Sequence, residues 1–395
     1  MKKLLCVLIA CLLIVVPLVA CADPTPPPQT GGDAPATSEP ANDNESDPED
    51  AAAEPLPMNS FRIAIPLPDT GAPMFEIMSN NVHQLANLMG GEVIFERTPM
   101  TPDGVISFVE NQIAAGADGL VILPPADAIL PAIVAIMEEA KVYWSITFRD
   151  ILDDDIRAMV ESSNYYVGRT FQDEAFAGYS LMQHLNSLGK SRVAIISTVR
   201  GDTTGDQREA GVMRAAEDFG MEVVAEARGL EQAADATRAA ESFMAAHADL
   251  DAIIILATTA TGSHDAVAKA IVDSGRADQI KLAFVDFQAT MDEMFEENVL
   301  VAAAGLSHWG YDPFMTFARV ANAASGHRIG DSNFSTSMEM TVITNLERAQ
   351  AFLSIFGDPN AMYYTDDEMR ELIRAMNPNL TPEEFNKIAA EFAPY

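Results

Sequence analysis

Cysteine is almost absent from this sequence of 395 residues, and its three cysteines, Cys6, Cys11 and Cys21, all lie near the beginning of the chain. No disulfide can form in the long remainder, so its stability must come from hydrophobic cores. The composition, with 48% hydrophobic and 21% charged residues, is sufficient for such cores. A chain of this length predicts two globular units.

Basic residues are also scarce. The sequence has 24 lysines and arginines against 58 aspartates and glutamates, which gives a net charge of -34. This charge disfavours nucleic acid as a partner, because binding to phosphates depends on lysine and arginine. It also disfavours adsorption of the folded part of the chain onto anionic lipid.

Catalytic and cofactor motifs are missing as well. The six histidines show no His-Glu-x-x-His or other metal-ligand spacing. Residues 201–205 lack the lysine of a phosphate-binding loop, and no Gly-x-Gly-x-x-Gly pattern follows a predicted strand. Residues 305–310 approach a nucleophile elbow around Ser307, but Trp309 stands where its second glycine should be. We therefore predict a protein that is not an enzyme and has no cofactor or metal; a surface hydrolase that uses Ser307 is the alternative.

The first 21 residues are typical of an export signal. Lys2 and Lys3 precede an apolar run, which ends in the segment Leu18-Val19-Ala20-Cys21. This segment resembles the lipobox of bacterial lipoproteins, which implies cleavage before Cys21 and acylation of that cysteine. A transmembrane anchor is the alternative, although the run is short for a bilayer span and contains Pro17. We expect the mature chain to be exported and anchored by lipid to the outer face of the bacterial cell membrane.

Residues 22–59 differ sharply in composition from the remainder of the chain. They are rich in Pro, Ala, Asp and Glu, contain no Lys or Arg, and have almost no large apolar residue before Leu56. Such a segment cannot bury enough apolar surface to fold. We predict a disordered, extended linker that holds the folded part of the chain away from the membrane.

The most informative feature is an internal repeat. Three segments of the first half recur in the second half in the same order: residues 62–65 at 192–195, 90–93 at 220–223, and 116–123 at 248–256. Each is rich in β-branched residues and bounded by small or turn residues, as expected of a strand buried on both faces of a parallel sheet. Chance similarity of apolar strands is the alternative interpretation.

Helical periods separate these strands. The apolar positions that show the period are Phe75, Met78, Val82, Leu85 and Leu88 in the first half and Val212, Ala215, Ala216 and Phe219 in the second. Strands that alternate with helices predict an α/β fold with two doubly wound parallel sheets. Further strands at 281–286, 299–304 and 341–344 exceed what one lobe needs, so we expect the chain to cross between the lobes more than once.

The end of the sequence predicts helices. Beyond Leu353 the chain is acidic, and it carries two capping boxes, one from Thr365 to Glu368 and one from Thr381 to Glu384. Pro382 occupies a first-turn position, where proline is tolerated. We interpret residues 354–395 as a helical extension packed on a lobe, with a solvated tail as the alternative.

Several short motifs together carry a resemblance to a known family. They are Pro73-Met74-Phe75, interpreted as a turn after the first strand, and the segments at 115–120, 146–149, 208–211 and 284–286. With this order and spacing, residues 61–353 resemble the type I periplasmic binding proteins of the ribose and galactose class, which share their fold with the effector domains of lac-repressor-type regulators. The resemblance implies two lobes joined by three crossings, with the ligand in the cleft between them. We assign 60–168 and 308–340 to the N-lobe, and 169–307 and 341–353 to the C-lobe.

The resemblance also implies a set of ligand-binding residues: Met74, Phe75, Phe148, Arg149, Arg208, Thr258, Asp286 and Ser307. Phe75 matches an aromatic residue that stacks on a sugar in the family. Phe148 replaces the aspartate that usually precedes the ligand-binding arginine, here Arg149. Arg208 matches the Arg-x-x-Gly signature, and Asp286 matches the carboxylate of the cleft. Thr258 stands where the family has an asparagine.

Each of these residues also has a purely structural interpretation. Phe75 and Phe148 could belong to a hydrophobic core. The two arginines could pair with neighbouring acids, Arg149 with Asp150 and Arg208 with Glu209. Asp286 could cap the helix that comes after it.

The resemblance implies a function for the whole chain. We expect a monomeric solute-binding lipoprotein that captures a small polar ligand, a sugar in the favoured interpretation, and delivers it to an ABC permease in the membrane. A receptor that signals ligand occupancy to a membrane kinase or chemotaxis receptor is the alternative, as is a nucleoside-like ligand. A repressor is excluded, because no helix-turn-helix precedes Phe61 and the chain is predicted to be exported.

Overall fold

Two sheets of six strands organise the structure, a computed structural model that describes residues 56–67, 74–257, 262–306, 311–330, 333–338, 340–356, 358 and 362–391. The strands of the first sheet are β1 (Arg62–Leu67), β2 (Glu92–Arg97), β3 (Gly119–Ile122), β4 (Tyr143–Thr147), β5 (Tyr166–Gln172) and β11 (Phe334–Met338). Those of the second sheet are β6 (Arg192–Ser197), β7 (Glu222–Arg228), β8 (Ala252–Ile255), β9 (Lys281–Val285), β10 (Leu300–Leu306) and β12 (Met340–Ile343).

Helices pack around each sheet to form the two lobes. The first lobe contains α1 (Met74–Leu88), α2 (Pro102–Ala114), a 3-10 turn (Asp127–Ile129), α3 (Leu130–Ala140), α4 (Asp154–Glu161) and α10 (Tyr311–Ala324). The second contains α5 (Glu174–Ser187), α6 (Thr203–Phe219), α7 (Ala233–Ala246), α8 (Ser263–Asp273), α9 (Met291–Glu296) and α11 (Leu346–Phe356). Two further helices, α12 (Asp366–Glu371) and α13 (Pro382–Glu391), form the C-terminal extension.

The two sheets have the same strand order. It runs β11-β5-β4-β3-β1-β2 in the first sheet and β12-β10-β9-β8-β6-β7 in the second. Neighbouring strands are parallel, except that β12 runs antiparallel to β10. The predicted α/β fold of two doubly wound lobes is therefore confirmed.

The internal repeat has a physical basis in hydrogen bonds that recur in both lobes. Asp118, which precedes β3, accepts a hydrogen bond from the backbone N–H of Arg62 at 2.9 Å, and it donates its own N–H to the Arg62 carbonyl at 2.8 Å. Asp251, which precedes β8, makes the same pair of bonds with Arg192, at 3.0 and 2.8 Å. These aspartates hold the first and third strands of each lobe in register, so the repeated residues have equivalent roles.

The chain crosses between the sheets three times. It leaves the first sheet after Gln172, returns after Leu306, and crosses again between Met338 and Met340. Strand β5 therefore stays in the first sheet beyond residue 168, where the sequence analysis ends the N-lobe. Strand β11 was not predicted, because its sequence Phe-Ser-Thr-Ser-Met is polar and has little β-branched content. It lies at the edge of its sheet, where a strand needs only one partner.

The C-terminal extension is packed on the first lobe, so the alternative of a solvated tail is wrong. Its apolar side chains join the same core as β1 and α10: Tyr364, Met369, Leu372, Ile373, Leu380, Phe385 and Ile388. Helix α12 begins with the predicted capping box of Thr365 and Glu368. Helix α13 begins at Pro382, and Thr381 accepts a hydrogen bond from the N–H of Glu384 at 3.1 Å.

The last residues of the predicted linker are bound to the folded part of the chain, which corrects the boundary at residue 59. The N–H of Leu56 donates to the carbonyl of Ala375 at 2.8 Å, and the N–H of Asn59 donates to the carbonyl of Ser325 at 3.0 Å. Met58 packs against the core of the first lobe. The chain is therefore already packed on the first lobe from Leu56 onward, before β1 begins.

The predicted export signal, Cys21 and most of the predicted linker lie outside the described residues. Within the described ranges, no helix combines the length and the apolar character that a bilayer crossing requires.

Candidate functional site

The candidate site lies where the two lobes present the carboxyl ends of their strands, which is where open α/β sheets bind ligands. Phe148 directly follows β4 in the first lobe, and Asp286 directly follows β9 in the second. Both residues have a left-handed backbone, with φ of 60° and 73° respectively. This conformation is uncommon outside glycine and marks positions that the surrounding structure holds in place.

Arg208 is the most highly connected residue of the site. Its Nη1 and Nη2 atoms donate to the two carboxylate oxygens of Asp286 at 3.0 and 3.2 Å. Its Nε atom donates to Glu174 Oε2 at 2.7 Å, and Nη1 also donates to the carbonyl of Leu256 at 2.7 Å. Arg208 and Glu174 are each only 3% exposed. Asp286, whose side chain is 59% exposed, brings one end of this buried network to solvent.

The Arg-x-x-Gly signature has a packing reason. At Gly211 a Cβ atom would lie 1.9 Å from the carbonyl oxygen of Ala175, and at Gly178 it would lie 2.0 Å from the carbonyl oxygen of Arg208. The backbones of α5 and α6 therefore touch where they cross, which only glycine permits. This close crossing brings Arg208 on α6 within reach of Glu174 on α5.

The charges of the pair stabilise each other. Burial alone lowers the pKa of Arg208, but the carboxylates of Asp286 and Glu174 outweigh it and hold that pKa above its ordinary value. Partial burial raises the pKa of Asp286, but the guanidinium of Arg208 outweighs it and holds that pKa below its usual range. Both groups are therefore charged at neutral pH.

Arg149 brings a second guanidinium to the site, from the first lobe. It is half-buried, and its Nη1 donates to the carbonyl of Phe148 at 3.2 Å. Burial lowers its pKa, while the carboxylates of Glu174, Asp202 and Asp286 in the second lobe oppose that shift. The guanidinium of Arg208 also lowers the pKa of Arg149, so charged groups of both signs in the second lobe act on it.

Neither arginine pairs with the acid beside it in the sequence, but Arg208 forms buried salt bridges with Glu174 and Asp286, so a structural role for Arg208 has support. Asp150 pairs with Arg169, its Oδ1 lying 2.7 Å from Arg169 Nε, and not with Arg149. Glu209 pairs with Arg228, and not with Arg208.

The structural alternatives for Asp286 and Phe148 have different outcomes, and the side chain of Phe75 lies outside the described part of the structure. Asp286 does not cap α9, which begins at Met291 after Thr290. Phe148 is half-buried and packs against the core of the first lobe, so its core interpretation has support.

The remaining predicted residues have only a partial description. Thr258 and Ser307 lie outside the described residues. Met74 and Phe75 form the first two residues of α1, which corrects the predicted turn at that point.

Two residues of the site were not found from the sequence. Gln172 ends β5, and Glu174 begins α5, so they flank the first crossing between the lobes. Gln172 Nε2 donates to Glu174 Oε1 at 2.8 Å. The only signal in the sequence is Gln172-Asp173-Glu174 at the start of a helical period, where acids are common as helix caps, as Asp173 is here.

The charged groups of the site offer both hydrogen-bond donors and hydrogen-bond acceptors to a ligand. Within the described part of the chain, no group of three or more His, Cys, Asp or Glu side chains could hold a metal ion. The ionised groups that converge on the cleft offer hydrogen-bond donors from Arg149 and acceptors from Asp286. Such an arrangement suits a small polar ligand.

Comparisons with known proteins agree with this geometry. The family defined by a periplasmic binding protein domain matches residues 63–324. No curated protein matches the sequence.

Solved structures share the fold at low sequence identity. A periplasmic solute-binding protein of an ABC transporter from Actinobacillus succinogenes with bound D-allose is 18% identical over 74% of this chain and 99% of its own, with a TM-score of 0.62. A solute-binding protein from Bacillus halodurans with bound myo-inositol is 17% identical over 74% and 97%, with a TM-score of 0.61. A 5-methylthioribose transporter solute-binding protein from Thermotoga lettingae is 19% identical over 83% and 96%, with a TM-score of 0.60.

Proposed function

This chain belongs to the family of proteins with a periplasmic binding protein domain, and from that premise we propose that it is an exported receptor that captures a sugar between its lobes and delivers it to an ABC permease. It acts as a solute-binding protein and not as an enzyme. The ligand is held at the carboxyl ends of the strands, in contact with Arg149, Asp286 and Phe148.

One observation carries the proposal: Arg149, two residues beyond β4 of one lobe, and Asp286, directly beyond β9 of the other, both lie at the carboxyl ends of the strands, where open α/β sheets bind ligands. Each lobe alone supplies only some of the hydrogen-bonding groups that the sugar would contact. A ligand that binds both lobes therefore favours closure of the cleft. Since the two guanidinium groups of Arg149 and Arg208 balance the two carboxylates of Glu174 and Asp286, an uncharged ligand with several hydroxyl groups fits better than a strongly charged one.

The similar structures support this ligand class. Their bound molecules are D-allose, myo-inositol and 5-methylthioribose, all small and rich in hydroxyl groups. Phe148 adds an apolar surface, which suits the C–H face of a sugar ring. The departures from the family pattern at Phe148 and Thr258 suggest that the preferred sugar differs from ribose.

Membrane attachment through Cys21 completes the proposal. A lipid on Cys21 and an extended linker hold the binding domain close to a permease, which raises its effective concentration there. Expression of the full chain in a bacterium supplied with an alkyne-bearing fatty acid tests this step. We expect labelling of the wild type and none of Cys21→Ser; equal labelling of both would exclude acylation at this residue.

Thermal unfolding with a sugar panel tests ligand binding. The panel contains D-allose, D-tagatose, myo-inositol and 5-methylthioribose, each at millimolar concentration. A ligand present at a hundred times its Kd stabilises the native state by about 2.7 kcal/mol, which is readily visible as a rise in Tm. We expect at least one member to give such a rise.

Arg149→Met separates binding at the cleft from general effects. The guanidinium of Arg149 makes one hydrogen bond to its neighbour's carbonyl, so its loss should leave Tm without sugar nearly unchanged while removing the sugar-dependent rise. Arg238→Met, on an exposed face of α7, is the matched control and should keep that rise. A panel that leaves the Tm of the wild type unchanged would count against a sugar receptor.

A further inference from the structure

A chain of buried hydrogen bonds leads from the cleft to the first crossing between the lobes. Asp286 binds Arg208, Arg208 binds Glu174, and Glu174 binds Gln172. Gln172 is the last residue of β5 in the first lobe, and Glu174 is the first residue of α5 in the second. The side chains of Gln172, Glu174 and Arg208 are all buried.

Glu174 is completely paired. Its Oε2 atom accepts from Arg208 Nε at 2.7 Å, and its Oε1 atom accepts from Gln172 Nε2 at 2.8 Å. A buried carboxylate is stable only with such partners, because its transfer from water is costly. Within the described part of the chain, the acids that form ion pairs with Arg208 are Glu174 and Asp286.

The planar shape of the guanidinium makes this pairing directional. Because Nε, Nη1 and Nη2 lie in one rigid plane, holding Nε on Glu174 sets the direction of the two Nη atoms. Those atoms meet both oxygens of Asp286 at 3.0 and 3.2 Å. Without Glu174, Arg208 would keep its charge but lose its fixed orientation.

We propose that Glu174 is a positioning residue, which orients Arg208 toward Asp286 and, through Gln172, links the ligand-binding groups to the first crossing of the hinge. This inference rests on the proposed function. The bond between the side chains of Gln172 and Glu174 spans the first crossing, so it restricts the path of the chain there. The orientation of Arg208 and the path of the chain at the hinge are therefore coupled.

The orientation of Arg208 can be measured without a ligand. Arginine ¹⁵Nε labelling of the full chain gives one Nε–H resonance per arginine, and Arg208→Lys identifies the one from Arg208. We expect this resonance to be protected from solvent exchange in the wild type. In Glu174→Gln we expect faster exchange and a shifted resonance, because a neutral amide oxygen is a weaker acceptor than a carboxylate.

A second variant adds a pH signature that a simple packing role would not produce. In Gln172→Glu, two carboxyl groups share the position of the present hydrogen bond, which raises the pKa of the pair. At low pH one shared proton preserves the bridge. As pH rises through the raised pKa, repulsion breaks the bridge, and the Arg208 resonance should shift; the wild type should show no such step in that range.

Titration with D-allose, or with whichever panel sugar stabilises the wild type, tests the consequence for binding. We expect Glu174→Gln to bind the sugar at least about ten times more weakly than the wild type. A hydrogen bond between charged groups contributes about 1.5–3 kcal/mol, which corresponds to a factor of ten or more in affinity. Glu217→Gln removes the same charge from an exposed position on α6 and should bind like the wild type.

The outcomes separate the two proposals. If no panel sugar binds the wild type, the sugar proposal fails, and the resonance of Arg208 still decides whether Glu174 orients it. If Glu174→Gln leaves the Arg208 resonance unchanged, or Gln172→Glu shows no pH step in a folded protein, the positioning role is overturned. Unchanged sugar affinity in Glu174→Gln would overturn the link to binding.

Discussion

Phe148 and Asp286 occupy equivalent positions in the two lobes. Each follows the fourth strand of its lobe in chain order, at the same place in the strand order of its sheet. Each has a left-handed backbone, which is rare for phenylalanine and better tolerated by aspartate. The duplicated fold therefore supplies two equivalent projecting positions at the cleft, one occupied by an apolar ring and the other by a carboxylate.

Two substitutions at Asp286 should separate the effect of losing its charge from the effect of strain in its left-handed backbone. Asparagine tolerates the left-handed conformation well, so Asp286→Asn should fold normally while losing the ion pair with Arg208. Asp286→Ala should lose the ion pair and also carry backbone strain of about 1 kcal/mol. We expect both variants to bind D-allose or another panel sugar about tenfold more weakly, and only Asp286→Ala to have a clearly lower Tm. Equal Tm values for the two variants would contradict the strain argument.

The crossing of α5 and α6 predicts a strong effect at Gly211. A Cβ atom there would overlap the carbonyl of Ala175, so Gly211→Ala should push the two helices apart. We expect a loss of about 1–3 kcal/mol in the free energy of unfolding, measured by urea denaturation. Because the shift also moves Arg208 away from Glu174, sugar binding should weaken. Met213→Ala, at an exposed position of α6, should change neither quantity, and a stable Gly211→Ala would argue against the close crossing.

The fold was predictable from the sequence because it is duplicated. Residues such as Asp118 and Asp251 recur for a physical reason, since each bonds the backbone at the start of the first strand in its lobe. Parallel strands buried on both faces also give continuous apolar runs, which are visible without an alignment. Strand β11 lacks both signals, because it lies outside the segments that repeat visibly in the sequence and its own sequence is polar.

The site was predictable only in part. Arg208 and Asp286 were named because segments 208–211 and 284–286 resemble motifs of the periplasmic binding proteins. Glu174 does not, because its role depends on the close crossing of two helices and not on the residues beside it in the chain. The partners of Arg149 and Arg208 were also unpredictable for this reason: in the structure, the adjacent acids Asp150 and Glu209 pair with other arginines.

The C-terminal extension should be required for the stability of the first lobe. Phe385 on α13 is fully buried, and its ring lies 5.2 Å from the guanidinium of Arg319, which is itself only 1% exposed. Arg319 also contacts the ring of Phe334 at 4.6 Å, and that ring meets the ring of Phe385 edge-on at 5.3 Å. We expect Phe385→Ala to lower the free energy of unfolding by about 3–5 kcal/mol. Lys387→Ala, on the exposed face of the same helix, is the control, and a small effect at Phe385 would show that the extension is dispensable.

His264 should make the stability of the second lobe depend on pH. Its buried ring contacts Phe284 edge-on at 4.8 Å, and one ring nitrogen lies 3.2 Å from the carbonyl of Val285. Burial lowers the pKa of His264, and the nearby carboxylate of Asp286 offsets this only in part. The folded state therefore binds a proton at His264 less readily than the unfolded state, in which the pKa is about 6.5.

The sign of the effect comes from this difference. Above a pH of about 6.5 the histidine is neutral in both states, and its contribution to stability is complete. As pH falls toward the lowered pKa of the folded state, the unfolded state takes up the proton first, so stability decreases.

His264→Gln should remove this part of the pH dependence, because a glutamine amide stays neutral and can still donate to the Val285 carbonyl. Urea unfolding between pH 7.5 and about 5 should give a flatter curve for His264→Gln than for the wild type, while His83→Gln, at an exposed position of α1, should follow the wild type. Parallel curves for the wild type and His264→Gln would mean that the ring is protonated equally well in both states, against the burial seen here.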